Sequence, residues 1–304
     1  MTSYEVAGRT VEITHPERVL FPDDGITKGD LAAYHHAVAD TLIRHLADRP
    51  LMLQRFPGGI GKDGFYQKDA GKTVPKWIRR VRARKEGGTV DHPVVDDEAA
   101  LLTLSNLGTI SFHRWGSRAD QLEQPDLLII DLDPTVDDIG AVVQAARWTR
   151  ELLAELDLAA YVQATGSRGL HVVTPLDRSA TTEEVGAFAE GLAAVLAARH
   201  PDELTAAFHK ADRGDRLYLD IARNGYAQTS VSPYSVRPRA GAPVATPLEW
   251  DELDDPAFRP DACTIINMPV RLAEREDPWA SMHRHARALG SRREKLAKLV
   301  DKAR

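Results

Sequence analysis

Residues 126–134 read Asp-Leu-Leu-Ile-Ile-Asp-Leu-Asp-Pro, an apolar strand that closes on two carboxylates one residue apart. Side chains alternate across an extended strand, so Asp131 and Asp133 project to one side. Leu128, Ile130 and Leu132 point the other way, toward a core. Neighbouring carboxylates repel, and folding alone gives no reason to place them together. A divalent cation relieves the repulsion, because hard cations such as Mg²⁺ are held by one or two carboxylates plus substrate phosphates. Taken alone, the pair reads equally well as two solvated aspartates where a strand meets a proline turn.

Two further segments bear on that choice. Arg216–Ala222 is a second apolar strand, with Leu217, Leu219 and Ile221 on one face and Tyr218 and Asp220 on the other. Beside the first strand, Asp220 would complete a three-carboxylate cluster able to hold two ions roughly 3.5–4 Å apart. Between them, Tyr161–Thr165 and Leu170–Thr174 read as strands joined by Gly166-Ser167-Arg168-Gly169. Two glycines supply positive φ and exposed backbone N–H groups that suit a phosphate. Arg168 adds charge, and His171 follows on the returning strand. An ordinary hairpin turn with a partly buried histidine is the alternative for such a segment by itself.

The order of these elements, a strand with Asp-x-Asp, then Ser-x-Gly-x-His, then a strand ending in Asp, resembles the three motifs of the archaeo-eukaryotic primase superfamily. Within it the chain resembles the polymerase domain of bacterial non-homologous end-joining ligase D and its stand-alone relatives. The likeness extends to Arg55-Phe56-Pro57, Gly64-Phe65-Tyr66-Gln67-Lys68, Pro233-Tyr234-Ser235-Val236-Arg237 and Thr246-Pro247-Leu248-Glu249-Trp250, in the family's order. It implies an α+β primase-polymerase fold, with a ferredoxin-like (RRM-like) catalytic palm packed on an N-terminal α/β module. The expected layout is one domain over 1–304: an N-terminal module at 1–120, the palm at 121–250 and a C-terminal segment at 251–304.

Composition agrees with a soluble enzyme. With 304 residues, 43% of them hydrophobic, the chain can bury a large core. A single cysteine, Cys263, leaves no disulfide framework and no cysteine-based zinc ribbon. No apolar run is long enough for a membrane span, and the polar start is not a signal peptide, so a cytoplasmic, nucleoid-associated location is expected. The net charge of −6 is unevenly spread, since residues 72–85 hold seven basic residues and no acid. Among these, Arg79, Arg80, Arg82 and Arg84 are candidates for a DNA backbone, with Trp77 interleaved. A solvated face with Trp77 in the core is the alternative. Helices are expected over Lys28 to about His45, capped by Thr27, and after the Thr181-x-x-Glu184 capping box.

The resemblance implies roles by position. Asp131, Asp133 and Asp220 match the catalytic metal-binding triad, which uses two ions, Mn²⁺ or Mg²⁺. Ser167, Arg168 and His171 match the triphosphate-binding motif, with arginine where lysine is usual at 168. Arg237 matches a further phosphate contact, and Arg239 does so less closely. Phe65 and Tyr66 resemble the aromatic pair that stacks on the templating base, although a core strand pair is also open. Lys68 and His113 match positions near the nucleotide. Arg18 and Lys28 match a pair that recognises a downstream 5′-phosphate, and Arg213 falls in a loop that handles the opposing DNA end.

The function implied is a template-dependent DNA/RNA polymerase that fills gaps and remodels ends in end joining, with ribonucleotides favoured. Expected partners are gapped or broken duplex DNA, NTP or dNTP, a separate DNA ligase and the bacterial Ku end-binding protein. Alternatives are a stand-alone primase or an excision-repair gap filler. In another class, residues 128–135 also fit the nucleophile strand of haloacid-dehalogenase-type phosphatases. That reading expects the motif early in its domain and an acidic pair after a later strand, and neither is present. A non-enzymatic end-binding module would leave three strand carboxylates facing a polyanion that they repel.

Overall fold

The computed structural model describes residues 2–303. They form two compact units, one built from 2–115, 229–246 and 261–277, the other from 116–228, 247–260 and 278–303. These divisions differ from the consecutive segments expected with boundaries near 120 and 250. The reason lies in pairing: Thr229–Val231 joins the sheet of the first unit beside Thr109–Trp115. The last helix, Gly290–Ala303, packs on Thr182–Arg199 of the second.

The second unit holds a six-stranded sheet in the order Leu204–Thr205, Leu217–Asp220, Leu127–Asp133, Leu170–Pro175, Tyr161–Ala164, Thr246–Leu248. Its four middle strands pair antiparallel. Numbered in chain order they lie 4-1-3-2, with helices Ile139–Glu155 and Thr182–Arg199 as crossovers. This is the ferredoxin-like arrangement expected from the β-α-β-β-α-β order. Leu128, Ile130, Leu132 and Val172 share one buried cluster with Val142, Leu153, Phe188 and Leu192 of the helices. On the opposite face Leu127, Ile129 and Val173 pack against Trp279 and Met282, and beyond them the same parity brings up Asp131 and Asp133. Thr181 closes the predicted capping box, its side chain accepting from the Glu184 N–H while Glu184 accepts from the Thr181 N–H.

The first unit is built on a four-stranded sheet, in the order Thr229–Val231, Thr109–Trp115, Leu51–Arg55, Phe65–Gln67. Leu51, Leu53, Ile110 and Phe112 enter one core with Leu31, Leu42 and Leu101. The helix expected over 28–45 is two helices, Lys28–Ala37 and Ala39–Leu46, broken at Val38 with φ −108° and ψ 9°. Thr27 caps the first as expected, with Asp30 completing the box. The end of the basic segment forms a hairpin, Arg80–Lys85 against Gly88–Pro93. Trp77 is exposed rather than in the core, and the Arg9 guanidinium lies 4.2 Å over its ring. Among the described residues, no helix is long and apolar enough to cross a membrane.

One close approach fixes the hairpin that carries Ser167 and Arg168. Gly166 has φ +66°, and a Cβ on Gly169 would stand 2.4 Å from the Leu132 carbonyl oxygen. Backbone cannot yield there as a flexible side chain can. Gly169→Ala is expected to cost about 1–3 kcal/mol in urea unfolding. Gly186→Ala, in a helix where a Cβ would meet nothing within 4 Å, is expected to stabilise by about 0.5–1 kcal/mol. Equal effects at the two positions would show that the contact is unimportant.

Candidate active site

Strand register assembles the acidic cluster of the second unit. Asp131 lies opposite His171 on one neighbouring strand and opposite Asp220 on the other. Asp133, two residues on and on the same face, lies opposite Tyr218. The sequence-predicted triad is therefore brought together at one end of the sheet. Buried His171 directs Nε2 to Asp131 Oδ1 at 3.5 Å. Ser167 is half-buried and Arg168 exposed in the turn just before it.

A residue absent from the sequence reading completes the cluster. After Asp220 the chain enters a single 3₁₀ turn, Ala222–Asn224, where the Ala222 N–H donates to Asp220 Oδ1 at 2.9 Å. That turn sends Arg223 back between the acids. Its Nε lies 3.2 Å from Asp131 Oδ2 and its Nη2 3.1 Å from Asp220 Oδ2. Asn224 anchors the turn by treating the Leu127–Asp133 strand as a sheet neighbour. The Ile129 N–H donates to Asn224 Oδ1 at 2.8 Å, and Asn224 Nδ2 donates to the Ile129 carbonyl at 2.7 Å. An arginine three residues after a strand-end aspartate is the signal that would have found Arg223.

The electrostatics follow from this geometry. Burial alone would push the Asp131 carboxyl up, but His171 and Arg223 outweigh it and hold the group below the usual range. Asp133 moves the other way: burial and then the Asp131 charge push it up, against the opposing pull of Arg168 and Arg213. Such crowding of hard oxygen donors fits a divalent cation, which needs only one or two protein carboxylates when a substrate supplies phosphates. Among the described residues, no three His, Cys, Asp or Glu side chains form a ready-made cage.

Arg213 is largely committed within its own unit. Its guanidinium lies 3.5 Å over the Tyr218 ring, while Nε and Nη2 donate to the carbonyls of Ala207 and Phe208 at 3.0 and 2.7 Å. It clamps the loop after Leu204–Thr205 to the strand residue opposite Asp133.

The other predicted residues lie in the first unit. Phe65 and Tyr66 are 47% and 57% exposed, so they are not a core pair. The Arg55 guanidinium lies 5.2 Å from the Phe65 ring centre, and Tyr66 meets buried His113 edge-on at 5.9 Å. Lys68 is exposed nearby in sequence. In the Pro233–Arg237 motif, Tyr234 and Ser235 are buried and Arg237 stands half-buried at its end. Arg18 and Lys28 meet across the Val19–Phe21/Ile26–Thr27 hairpin, where the Lys28 N–H donates to the Arg18 carbonyl at 2.8 Å. Lys28 Nζ, at the first position of its helix, donates to the Thr14 carbonyl at 2.7 Å. Arg18 Nη1 donates to the Pro57 carbonyl at 3.0 Å. Of the basic segment, Arg79 pairs with Asp48 and Asp96, Arg82 pairs with Asp91, and Arg80 donates to the Val74 carbonyl. Arg84 is exposed on the same hairpin.

The chain has known relatives in sequence and in fold. Residues 27–279 match the family model described as LigD, primase-polymerase domain. Among curated relatives, the multifunctional non-homologous end joining DNA repair protein LigD of Mycobacterium tuberculosis H37Rv is 31% identical over 258 residues. That match covers 82% of this chain and 34% of the relative. The multifunctional end joining LigD of Pseudomonas aeruginosa PAO1 is 33% identical over 273 residues, covering 89% and 32%. The chain thus spans about a third of the length of these relatives. A solved structure, the polymerase domain from M. tuberculosis ligase D in complex with DNA, superposes with TM-score 0.84 at 28% identity. It covers 91% of this chain and 99% of the other. The sheet order, the gathered acids and the family match converge, and the chain belongs to the LigD primase-polymerase domain family, whose chemistry is nucleotidyl transfer on DNA.

Proposed function

We propose that the protein is a repair polymerase of end joining, adding nucleotides at gapped or broken duplex DNA. The observation that carries this reading is the placement of Asp131 opposite both His171 and Asp220 in one sheet. Asp131, Asp133 and Asp220 would hold two divalent ions, Mn²⁺ or Mg²⁺. When bound, such ions lower the pKa of a primer 3′-hydroxyl and neutralise a leaving pyrophosphate. His171, Ser167, Arg168 and Arg237 bind the triphosphate. Phe65 and Tyr66 present exposed rings for the templating base, and His113 and Lys68 serve the nucleotide. Arg84 and Arg80 are the members of the basic hairpin assigned to the DNA backbone, and Arg213 keeps its loop in place for an incoming end. Ligation and end recognition come from other modules or chains, a DNA ligase and Ku, and the enzyme works in the cytoplasm on nucleoid DNA with ribonucleotides favoured. Membership of the family leaves no part for a phosphatase nucleophile at Asp131.

Asp131→Ala or Asp133→Ala is expected to abolish nucleotide addition on a one-nucleotide-gapped duplex while DNA affinity stays within about twofold. Asp133→Ala relieves repulsion from Asp131, whereas Asp131→Ala removes a partner of Arg223 but leaves it paired with Asp220. Circular dichroism should therefore show both variants folded, with Asp131→Ala the less stable. Extension near the wild-type rate would remove the metal assignment.

The 5′-phosphate assignment has its own pH signature. Burial, and next the Arg18 charge, lower the Lys28 pKa to about 8, against a smaller pull from Glu17. Below that pH the ammonium is charged and attracts phosphate, and as pH rises through it the charge is lost. A charge-assisted contact is worth about 1.5–3 kcal/mol, so a 5′-phosphate should be favoured over a hydroxyl by about tenfold or more at pH 7. Fluorescence anisotropy at constant ionic strength should show this preference fading above pH 8. The midpoint lies somewhat higher in the complex because the bound phosphate favours the ammonium. Lys28→Ala should lose most of the preference at every pH, and Lys28→Arg should keep it without the fade. Equal binding of both ends by the wild-type protein would favour a primase instead.

A further inference from the structure

We infer that Arg223 is a resident counter-ion of the acidic cluster, and that a divalent cation enters by displacing its guanidinium from Asp131 and Asp220. The inference rests on the metal reading above and goes beyond it, since it assigns the free enzyme an occupied site and makes ion uptake an exchange.

Three observations carry it. First, Arg223 bridges two strands, with Nε and Nη2 on the Oδ2 atoms of Asp131 and Asp220 at 3.2 and 3.1 Å. Those are oxygens that a cation between the acids would claim. Both side chains are mostly buried, at 14% and 16% exposed, so a pairing there is little weakened by water. Second, Asp131 and Asp220 lie directly opposite each other on adjacent strands. Left without any cation they would face each other across adjacent strands at close range, an arrangement that destabilises the sheet. Third, the backbone of the turn is fixed while the side chain is not. Asn224 is pinned to Ile129 through both its amide atoms, and the Arg223 side chain is 37% exposed. The guanidinium can therefore leave by rotating toward solvent, with no change in the sheet.

A monovalent cation already in place raises the concentration of metal needed to fill the site. Removing it should tighten metal binding, although the same change loosens the metal-free protein. A merely supporting arginine would act in the opposite sense, and its loss would weaken the metal.

The test is isothermal titration of Mn²⁺ into the full chain without nucleotide or DNA, for wild type, Arg223→Gln, Arg223→Lys and Asp220→Asn. Arg223→Gln is expected to bind Mn²⁺ about tenfold more tightly or better, the worth of one charge-assisted contact. Arg223→Lys should fall between it and wild type, and Asp220→Asn should lose binding. Thermal unfolding should show Arg223→Gln less stable than wild type without metal and more strongly raised by Mn²⁺. In the wild-type protein, the Arg223 Nε–H resonance should move when Mg²⁺ is added, a readout that needs no variant to fold. Tight wild-type binding with Arg223→Gln no tighter, or an unmoved Nε–H resonance at saturating Mg²⁺, overturns the exchange while leaving the metal site standing. If no protein in the series binds Mn²⁺, the metal reading and the exchange fall together.

Discussion

One antiparallel register sets the chemistry of the second unit: Asp131 opposite His171 on one side and Asp220 on the other. A slip of one residue in the Leu127–Asp133 strand would turn Asp131 and Asp133 into the helix-covered core and bring Leu132 to the surface. The apolar residues of the strand prevent this. Leu128, Ile130 and Leu132 are fully buried beneath the two crossover helices, and burying each such side chain favours the native register by about 1.5–3 kcal/mol. Two local devices then hold the neighbours in line. Gly169 lets the hairpin lie against the Leu132 carbonyl, and the Asn224 amide continues the pairing where the Leu217–Asp220 strand ends.

That register gathers like charges, and the site is built around balancing them. Asp133 bears the residual cost, its carboxyl pushed up by burial and by Asp131. The compensating cations come from different distances along the chain: Arg223 from the adjoining turn, Arg168 from the hairpin, Arg213 from the loop after Leu204–Thr205. The same accounting lowers the weight of the basic segment at 72–85. Its sequence promises seven free cations, but Arg79 and Arg82 are matched by Asp48, Asp96 and Asp91. The attraction of that hairpin for a polyanion is smaller than its composition implies, because paired surface charges contribute little field of their own.

Much of this was legible in the sequence, for a physical reason. Strand parity is set by covalent geometry, so which acids share a face needs no knowledge of the fold, and the capping boxes at Thr27 and Thr181 are equally local. The parts that were not legible depend on distant partners. The acids that neutralise Arg79 lie at 48 and 96. The exposure of Trp77 is accompanied by a contact with Arg9. The break at Val38 interrupts a sequence that reads as one helix. Arg223 lies between these cases. It is three residues from Asp220, yet its return depends on a 3₁₀ turn where the strand pattern Leu-Tyr-Leu-Asp-Ile predicts further extension.

The Pro233–Arg237 segment shows what a matched motif consists of physically. Tyr234 takes φ +62°, a conformation that costs an ordinary residue roughly 1–3 kcal/mol and persists only where surroundings compel it. They do so here: the Tyr234 hydroxyl donates to Asp277 Oδ1 at 2.9 Å, His45 Nε2 lies 2.8 Å from Asp277 Oδ2, and the Tyr34 hydroxyl donates to the Tyr234 carbonyl at 2.7 Å. Ser235 Oγ accepts the Phe112 N–H at 2.7 Å, tying the segment to the strand that bears His113. Of the five residues, only Arg237 is left with partial exposure by this scaffold, the rest being buried. The buried tyrosine and serine hold the backbone, so their replacement would displace the arginine without touching any ligand. A motif can thus match a family pattern in full while most of its residues serve to hold the backbone.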